Sequence, residues 1–382
     1  MRYKLSDLFE LQMGKTPSRN NPNYWSSNDY SWVSISDMSS YDKYVSGTKE
    51  HISEQAVKES GIKTIPANTV IMSFKLSIGK TAITTGPIFS NEAIMAFIDK
   101  ETTAIDSEYI FYLFSGRNWD EGSNKAVMGK TLNKTTLSNI EVDIPSLDVQ
   151  KERIEKLNKI SILIADKKQQ LNQLDELIKA RFVEMFSDEK CELLQDLSEK
   201  VTDGSHMPPK GVDKSEYMML SSQNIFNELN FEGIRYLSKE DFENENRRTN
   251  IQNGDVLITI VGTIGRTHVV KKNEKFVFQR SVGVIKPVRE KINGVYLSAF
   301  LQTNRARSFL DSGAHGSSQK GIYLQDLKKL PVPVAPIDKQ NQFADFVAQV
   351  DKSKFALSNE LAVCNFYIRL IHDRVMHGRI NL

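Results

Sequence analysis

Two short stretches decide the fold, Ile144-Pro145-Ser146-Leu147-Asp148-Val149-Gln150 and Val334-Ala335-Pro336-Ile337-Asp338-Lys339-Gln340. In each, a proline and an aspartate stand where helices begin. Apolar residues then recur every seven positions, at Leu157, Ile164, Leu171, Ile178 and Met185 after the first stretch and at Phe343, Val350, Leu357, Cys364 and Ile371 after the second, where Leu361 and Ile368 accompany them. Because this period is typical of a coiled coil, we expect two long antiparallel helices that pack against each other.

The segments before the two helices repeat each other. Residues 65–73 match residues 251–259, and Ile78-Gly79-Lys80 matches Ile264-Gly265-Arg266, all at an offset of 186. Earlier in the chain, Leu5, Asp7 and Leu8 return as Leu194, Asp196 and Leu197, and Trp32-Val33-Ser34-Ile35-Ser36 returns loosely as Tyr217-Met218-Met219-Leu220-Ser221. A repeat this long indicates duplicated domains rather than a solenoid, and its short apolar runs between turns predict buried strands.

The sequence therefore predicts an α+β fold. Two tandem homologous domains are separated by two long antiparallel coiled-coil helices, and the whole is pseudo-two-fold symmetric. We expect the first domain over residues 1–145, the first spacer helix over 146–189, the second domain over 190–333 and the second spacer helix over 334–382. The apolar seam from Leu157 to Met185 covers 28 residue steps, which is about 42 Å of helix.

Composition narrows the functional class. The 382 residues are 40% hydrophobic and 26% charged, and no run approaches the roughly 18 apolar residues that a membrane helix needs. With no signal-peptide pattern at its N-terminus, the chain is expected in the cytoplasm. Two cysteines are too few for a disulfide framework or a zinc site. The net charge is +2, and residues 190–333 alone carry +4, so a nucleic-acid footprint would have to be local.

The sequence contains only incomplete versions of known catalytic motifs. The Gly-Lys-Thr triplets at Gly14, Gly79 and Gly129 lack the earlier glycine of a phosphate-binding loop. The six histidines show no metal-ligand spacing, so we predict neither a catalytic residue nor a metal site. The segment Asn21-Pro22-Asn23-Tyr24 resembles the Asn-Pro-Pro-Tyr motif of amino-methyltransferases, although no glycine-rich turn accompanies it. An adenine methyltransferase that acts alone stays open as an alternative.

Polar loop residues are the remaining candidates for function. Arg and Lys recognise guanine, Asn and Gln recognise adenine, and hydroxyl groups bind phosphate. The predicted DNA-binding residues are Lys15, Thr16, Arg19, Asn20, Lys75, Lys80, Lys130 and Asn133 in the first copy, and Lys210, Arg247, Arg266, Lys271, Gln279, Arg280, Ser317, Gln319 and Lys320 in the second. Ser18, Asn21, Lys125, His206, Arg248, Lys272, His315 and Ser318 belong to the same loops.

A series of short motifs resembles one family. The motifs, in chain order, are Leu5-Ser6-Asp7-Leu8, Gly14-Lys15-Thr16-Pro17-Ser18, Tyr24-Trp25, Trp32-Val33-Ser34, Ile65-Pro66, Ile78-Gly79-Lys80, Asn91-Glu92-Ala93-Ile94 and the stretch Ile144-Pro145 to Gln150. Together with the duplication and the two predicted helices, they resemble the specificity subunit of type I restriction-modification systems. The resemblance covers essentially the whole chain, and the second half fits it more loosely.

The resemblance implies a function without catalysis. Each half would contain a target recognition domain, and the helices would form the spacer between them. The chain would bind no cofactor itself and would direct two methyltransferase subunits, which use S-adenosylmethionine, and two restriction subunits, which use ATP and Mg, to adenines in a bipartite site on double-stranded DNA. The second half has Gly204-Ser205-His206-Met207-Pro208 where the first has Gly14-Lys15-Thr16-Pro17, and Ala335 replaces Pro145. These departures suggest that the two domains read different half-sites.

Two expectations complete this interpretation. A seam of about 42 Å compares with the roughly 34 to 36 Å of one DNA turn, so half-sites about one turn apart are expected. The near-neutral charge also leaves open a protein of another class, a coiled-coil scaffold that carries duplicated interaction domains and binds no DNA.

Overall fold

The computed structural model describes residues 1–75, 77–119, 124–126, 129–226, 228–271, 275–316 and 320–377, apart from the side chains of 124–126, 129–131 and 373–377. Two compact units are present. The first contains Met1–Lys167 and Glu360–Leu382, and the second contains Lys168–Asn359. Across the described ranges, no helix combines the length and the apolar character required to cross a membrane.

The first unit is built around one four-stranded and one three-stranded sheet. Its strands are β1 (Arg2–Lys4), β2 (Phe9–Met13), β3 (Tyr30–Val33), β4 (Glu50–Ile52), β5 (Val70–Ser73), β6 (Thr81–Ile83), β7 (Phe89–Ser90), β8 (Ile94–Asp99), β9 (Asn124–Ala126), β10 (Gly129–Thr131) and β11 (Glu141–Asp143). Its helices are α1 (Leu5–Leu8), α2 (Glu54–Ser60), α3 (Ser107–Ser115), α4 (Lys134–Ser138) and the start of α5 (Leu147–Phe186), with 3-10 turns at Pro22–Tyr24 and Asp37–Ser39. The sheet orders are β2-β8-β5-β6 and β4-β3-β7, and β1 with β11 and β9 with β10 form pairs.

The sheets pack in layers because alternate side chains of a strand point to opposite faces. On β5, Val70 and Met72 join a core with the aromatic side chains of α3 and with Leu157 of α5. Ile71, between them, belongs to a second core that fills the space on the other face of the sheet. A third core, which includes Trp32 and Ala56, joins the three-stranded sheet to α2.

The second unit repeats this architecture strand for strand. Its strands are β12 (Cys191–Leu193), β13 (Ser198–Asp203), β14 (Tyr217–Leu220), β15 (Arg235–Leu237), β16 (Val256–Thr259), β17 (Thr267–Val269), β18 (Phe276–Phe278), β19 (Val282–Pro287), β20 (Ala314–His315), β21 (Gly321–Ile322) and β22 (Pro331–Pro333). Its helices are α6 (Lys239–Thr249), α7 (Gly294–Leu301), α8 (Asn304–Ser312), α9 (Leu324–Leu327) and α10 (Ile337–His377), with a 3-10 helix at Leu194–Leu197. The sheet orders β13-β19-β16-β17 and β15-β14-β18 correspond to those of the first unit.

Individual hydrogen bonds confirm the duplication. The Ser73 hydroxyl accepts from the backbone N–H of Lys80 at 3.1 Å, and the Thr259 hydroxyl accepts from that of Arg266 at 2.9 Å. Gly79 and Gly265 lie in the same turns at φ of +88° and +85°, a conformation that favours glycine. The offset of 186 is therefore structural as well as sequential.

One sequence alignment within the repeat was wrong by two residues. The Ser34 backbone N–H donates to Asp37, and the Ser221 backbone N–H donates to Asn224, so Ser34 corresponds to Ser221. Trp32 therefore corresponds to Met219 rather than to Tyr217. Similarity in this strand is too weak to set the register, which the hydrogen bonds of the following turn determine.

The predicted antiparallel pairing of the long helices is confirmed within each unit. In the first unit, Ile368 and Ile371 of α10 pack against the core that contains Leu157 of α5, and Lys167 pairs with Glu360 at 2.5 Å. In the second unit, the Phe182 and Phe343 rings lie 5.5 Å apart, and Lys354 pairs with Asp175 at 2.6 Å. Along each pair, residue numbers increase in one helix and decrease in the other, so the paired segments are antiparallel.

None of the twelve predicted seam residues is fully exposed. Leu157, Phe343 and Val350 are buried. The others are half-buried, namely Ile164, Leu171, Ile178, Met185, Leu357, Leu361, Cys364, Ile368 and Ile371. Lys354, which interrupts the apolar series of the second helix, forms the ion pair with Asp175.

A buried glutamine ties each long helix to its unit. The Gln150 side chain accepts from the Asp106 backbone N–H at 2.9 Å and donates to the Ala104 and Pro145 carbonyls. Gln340 accepts from the Asn293 N–H at 2.9 Å and donates to the Lys291 and Ala335 carbonyls. Both glutamines are fully buried, so the backbone groups satisfy the polar atoms of each side chain in place of water.

We predict that Gln150→Ala destabilises the first unit by about 1 to 3 kcal/mol, because three part-buried hydrogen bonds to the backbone are lost. Gln340→Ala should do the same to the second unit. Hydrogen exchange around residues 104–106 and 291–293 separates the two effects, and urea unfolding gives their size. Gln169→Ala, at an exposed position of α5, is the control. Equal stability of Q150A and Q169A would contradict the prediction.

Candidate nucleic-acid interface

The loop that follows the first sheet strand carries predicted binding residues in both units. In the first unit the N–H groups of Gly14 and Lys15 donate to the carbonyls of Ile94 and Ser90. In the second unit the N–H groups of Gly204 and Ser205 donate to those of Val282 and Phe278. The same backbone contacts therefore hold this loop against the turn before β8 or β19.

Glycine permits this close approach. A Cβ on Gly14 would lie 2.3 Å from the Asn91 carbonyl oxygen, and one on Gly204 would lie 2.1 Å from that of Phe278. Both distances are shorter than any real Cβ contact. Gly14, the glycine of the first Gly-Lys-Thr triplet, thus lets two backbone segments pack closely. This packing explains why a glycine recurs at Gly204, although neither loop has the other elements of a phosphate-binding loop.

In the first unit, the loop cations are held by neighbouring groups. Arg19 forms a bidentate ion pair with Glu50, and its guanidinium lies 3.7 Å from the centre of the Trp25 ring. The hydrogen bond that Arg19 donates to Glu50 raises the pKa of Arg19 above its ordinary value, although burial acts in the opposite direction. Lys15 donates to the Ser60 carbonyl, and the Thr16 hydroxyl donates to Glu92.

The other predicted residues of the first unit are dispersed. The Lys75 ammonium lies 5.2 Å from the Phe74 ring centre, and Lys80 donates to the Ser39 hydroxyl. Asn133 accepts from the Thr136 N–H at 2.7 Å and so caps α4, while Asn20 is exposed. Lys130 pairs with Lys125 in the β9–β10 hairpin, and both of their side chains lie outside the described part.

The second unit has an open cleft of about 600 Å³ beside the corresponding loop. Its lining includes Asp203, His206, Arg280, Tyr323 and Asp326. The buried Asp203 carboxylate accepts from Arg248 and lies 2.7 Å from the His206 ring nitrogen Nε2. A single carboxylate thus orients two potential donors at the cleft.

The neighbouring elements support this arrangement. The Ser205 hydroxyl donates to Glu245 of α6 at 3.0 Å, and the His315 ring stacks on Tyr323 with centres 5.4 Å apart. The cleft therefore offers donors, acceptors and an exposed aromatic face, a set that suits the edges and faces of nucleic-acid bases.

The remaining predicted residues of the second unit occupy several surfaces. The Arg266 guanidinium lies 4.2 Å from the centre of the Phe226 ring, and Gln279 is half-buried next to Arg280. Four lysines and arginines are exposed, namely Lys210, Arg247, Lys271 and Lys320. Ser317, Gln319, Ser318 and Lys272 lie outside the described residues.

Sequence reasoning missed the acidic members of both sites. Asp203, Glu245 and Glu92 were not predicted as site residues, because carboxylates neither bind phosphate nor recognise guanine. Aligning the two copies would have revealed Glu92, since it stands at the same place as Arg280 in the repeated turn. Asp203 gives no comparable signal, because it corresponds to Met13 in the first copy.

Two observations on the described residues bear on catalysis at these loops. In the described portion of the chain, no three His, Cys, Asp or Glu residues are grouped so that they could hold a metal ion. The Asn21 side chain accepts from the Asn23 N–H at 3.2 Å, and the Tyr24 hydroxyl donates to Glu59. The motif that resembles a methyltransferase signature thus forms a local turn with its polar groups engaged.

The chain is similar to known proteins over most of its length. The model of the type I restriction modification DNA specificity domain matches residues 1–176 and 194–362. The specificity subunit of the type I restriction enzyme MjaIX from Methanocaldococcus jannaschii is 30% identical over 189 residues, which are 48% of this chain and 43% of that protein. The EcoprrI specificity subunit from Escherichia coli is 27% identical over 172 residues, 42% of each. The matched stretches thus span less than half the length of these curated relatives.

A solved structure shows the same fold. One chain of a structure that concerns complex assembly and conformational transition of the type I R-M system superposes with a TM-score of 0.56 at 13% identity, and the match covers 100% of this chain and 98% of that one.

Proposed function

The chain belongs to the type I restriction modification DNA specificity family, and from this membership we propose that it is the non-catalytic subunit that recognises a bipartite site on double-stranded DNA. Each unit would recognise one of the two half-sites. The observation that carries the proposal is the duplicated turn, which presents a loop of the same backbone geometry in both units but with different side chains. A repeated scaffold with altered polar groups is what two different half-sites require.

The partners are part of the same proposal. The relatives are specificity subunits of type I restriction enzymes, so this chain would direct two adenine methyltransferase subunits and two restriction subunits in the cytoplasm. S-adenosylmethionine, ATP and Mg would be used by those subunits. The division into recognition domains at 1–145 and 190–333, with spacer helices at 146–189 and 334–382, is proposed on the same grounds.

Apolar side chains on the long helices are the proposed docking surface for the methyltransferase. In the first unit, Phe366 is 62% exposed and Val363 and Tyr367 are each 52% exposed on α10. Ile162 and Leu163 are exposed on α5. Val363, Phe366 and Tyr367 have i, i+3 and i+4 spacing and so share one helix face, and a contiguous exposed apolar patch marks an interaction site.

We predict that the double substitution Phe366→Ala and Tyr367→Ala weakens association with the methyltransferase subunit more than about tenfold, because aromatic anchors carry much of the affinity of an interface. Co-purification and calorimetry measure the change. Phe231→Ala, which truncates an exposed phenylalanine in the loop between β14 and β15, should leave association unaltered. Unchanged affinity in the double variant would remove this face of α10 from the interface.

Arg266 is the clearest single candidate for base recognition. Its guanidinium stacks on Phe226, which orients it without consuming its hydrogen bonds in an ion pair. Lys80 holds the equivalent position in the first unit, because both residues donate their backbone N–H to the repeated Ser73 and Thr259 hydroxyls.

We predict that Arg266→Ala relaxes selection at one base of one half-site by about 1 to 3 kcal/mol. Lys80→Ala should affect only the other half-site. Selection from a randomised duplex library by the complex with its methyltransferase measures both effects. Equal weakening on all sequences would assign Arg266 to phosphate contact. If the wild-type complex shows no sequence-selective retention, the alternative of a coiled-coil scaffold gains support.

The long helices are proposed to set the distance between the half-sites. The boundary between the two units falls inside both α5 and α10, so each helix runs from one unit into the other. Forty residues of α5 correspond to about 60 Å of helix.

We predict that inserting one heptad at residue 167 of α5 together with one at residue 359 of α10 lengthens the unread gap by about 3 base pairs, because seven residues add about 10.5 Å and preserve the seam. The ends of the recognised sequence should stay the same. Mapping of adenine methylation in cells measures the gap. A single insertion is the control, because it puts the seam out of register. An unaltered gap in the double insertion would refute the spacer role.

A further inference from the structure

The turn before the last strand of the large sheet is the same in both units. In the first unit the Ile94 N–H donates to the Asn91 carbonyl at 3.0 Å and the Asn91 N–H donates to the Val33 carbonyl at 2.9 Å. In the second unit the Val282 N–H donates to the Gln279 carbonyl at 3.0 Å and the Gln279 N–H donates to the Leu220 carbonyl at 2.9 Å. The turn from Asn91 to Ile94 therefore matches the turn from Gln279 to Val282 without an insertion or deletion.

This match makes Glu92 and Arg280 equivalent residues. Each is the second residue of its turn, and each is exposed. The turn also receives the loop after the first sheet strand, since Gly14 and Gly204 pack against it. Thr16 of that loop donates to Glu92, while Arg280 lines the cleft with His206. One backbone position thus presents a carboxylate in one unit and a guanidinium in the other.

The two groups have opposite hydrogen-bonding capacity. An ionised carboxylate only accepts and a guanidinium only donates. In the major groove, cytosine N4 and adenine N6 carry donors, whereas guanine N7 and O6 are acceptors. A carboxylate in one unit and a guanidinium at the same backbone position of the other can therefore select bases with opposite hydrogen-bonding groups.

We propose that Glu92 and Arg280 are specificity-determining residues at equivalent positions of the two half-sites, Glu92 for a base with an exocyclic amine and Arg280 for guanine. This inference rests on the proposed function and adds the chemical class of one base in each half. Among the described residues the Arg280 guanidinium has no ion-pair or hydrogen-bond partner, unlike Arg19 and Arg248. Its donors are thus available to a ligand.

The experiment uses the full chain in complex with its methyltransferase subunit and a duplex library randomised over 30 positions. Glu92→Ala should reduce the preference for an amine-bearing base at one position of one half-site by about 10- to 100-fold. Arg280→Ala should reduce the preference for guanine at one position of the other half-site by a similar factor. Glu10→Ala and Arg305→Ala, at exposed positions of the same two units, should leave the selected sequence unchanged.

Each variant reports its own folding, because the unmutated half-site must still be selected as in the wild type. Loss of preference at one position in the expected half supports the proposal. Uniform weakening across the library, an unchanged sequence or a change in the same half for both variants would overturn it. If the wild type itself selects no bipartite sequence, the proposed function fails, an outcome that the variants cannot imitate.

Discussion

The apolar stripes of α5 and α10 must be covered, and neither helix can cover its own. Burying one large apolar side chain stabilises the fold by about 1.5 to 3 kcal/mol, whereas an ion pair between exposed side chains contributes at most about 1 kcal/mol. The apolar stripes therefore drive α5 and α10 to pack together, and the ion pairs between the two helices favour one register. Because Ile368 and Ile371 complete the core of the first unit, that unit requires residues more than 180 positions beyond the end of α5. The last helix of the chain is thus as necessary to the first unit as the strands that precede it.

Duplication has preserved the buried contacts and altered the exposed ones. Gln150 and Gln340, both buried, make the same three hydrogen bonds, and replacing either would leave three backbone groups without that partner. Exposed positions of the repeated turn bear no such cost, because water satisfies whatever group stands there. Selection can therefore exchange a carboxylate for a guanidinium without disturbing the fold. A scaffold with this property changes its target more easily than its shape.

The helices, the buried strands and the duplication could be predicted from sequence because burial imposes a period on apolar residues. The register of β3 against β14 could not, since four residues with weak similarity leave several alignments possible. Functional loops were harder still. Arg19 and Asn133 have the composition of DNA-binding residues, yet one is paired with Glu50 and the other caps α4. Polar residues in loops serve both purposes, and only their partners distinguish the two.

The near-neutral charge is consistent with a protein that discriminates between sequences. Affinity for any DNA grows with the number of phosphates that cations neutralise, and such contacts do not distinguish one sequence from another. Here two arginines, Arg19 in the loop after β2 and Arg248 of α6, are engaged by Glu50 and Asp203, which lowers their contribution to that general attraction. Weak binding to arbitrary DNA raises the ratio of specific to non-specific affinity, on which site selection in a genome depends. A balance of acids and bases at these loops therefore favours selectivity at the expense of unaided affinity.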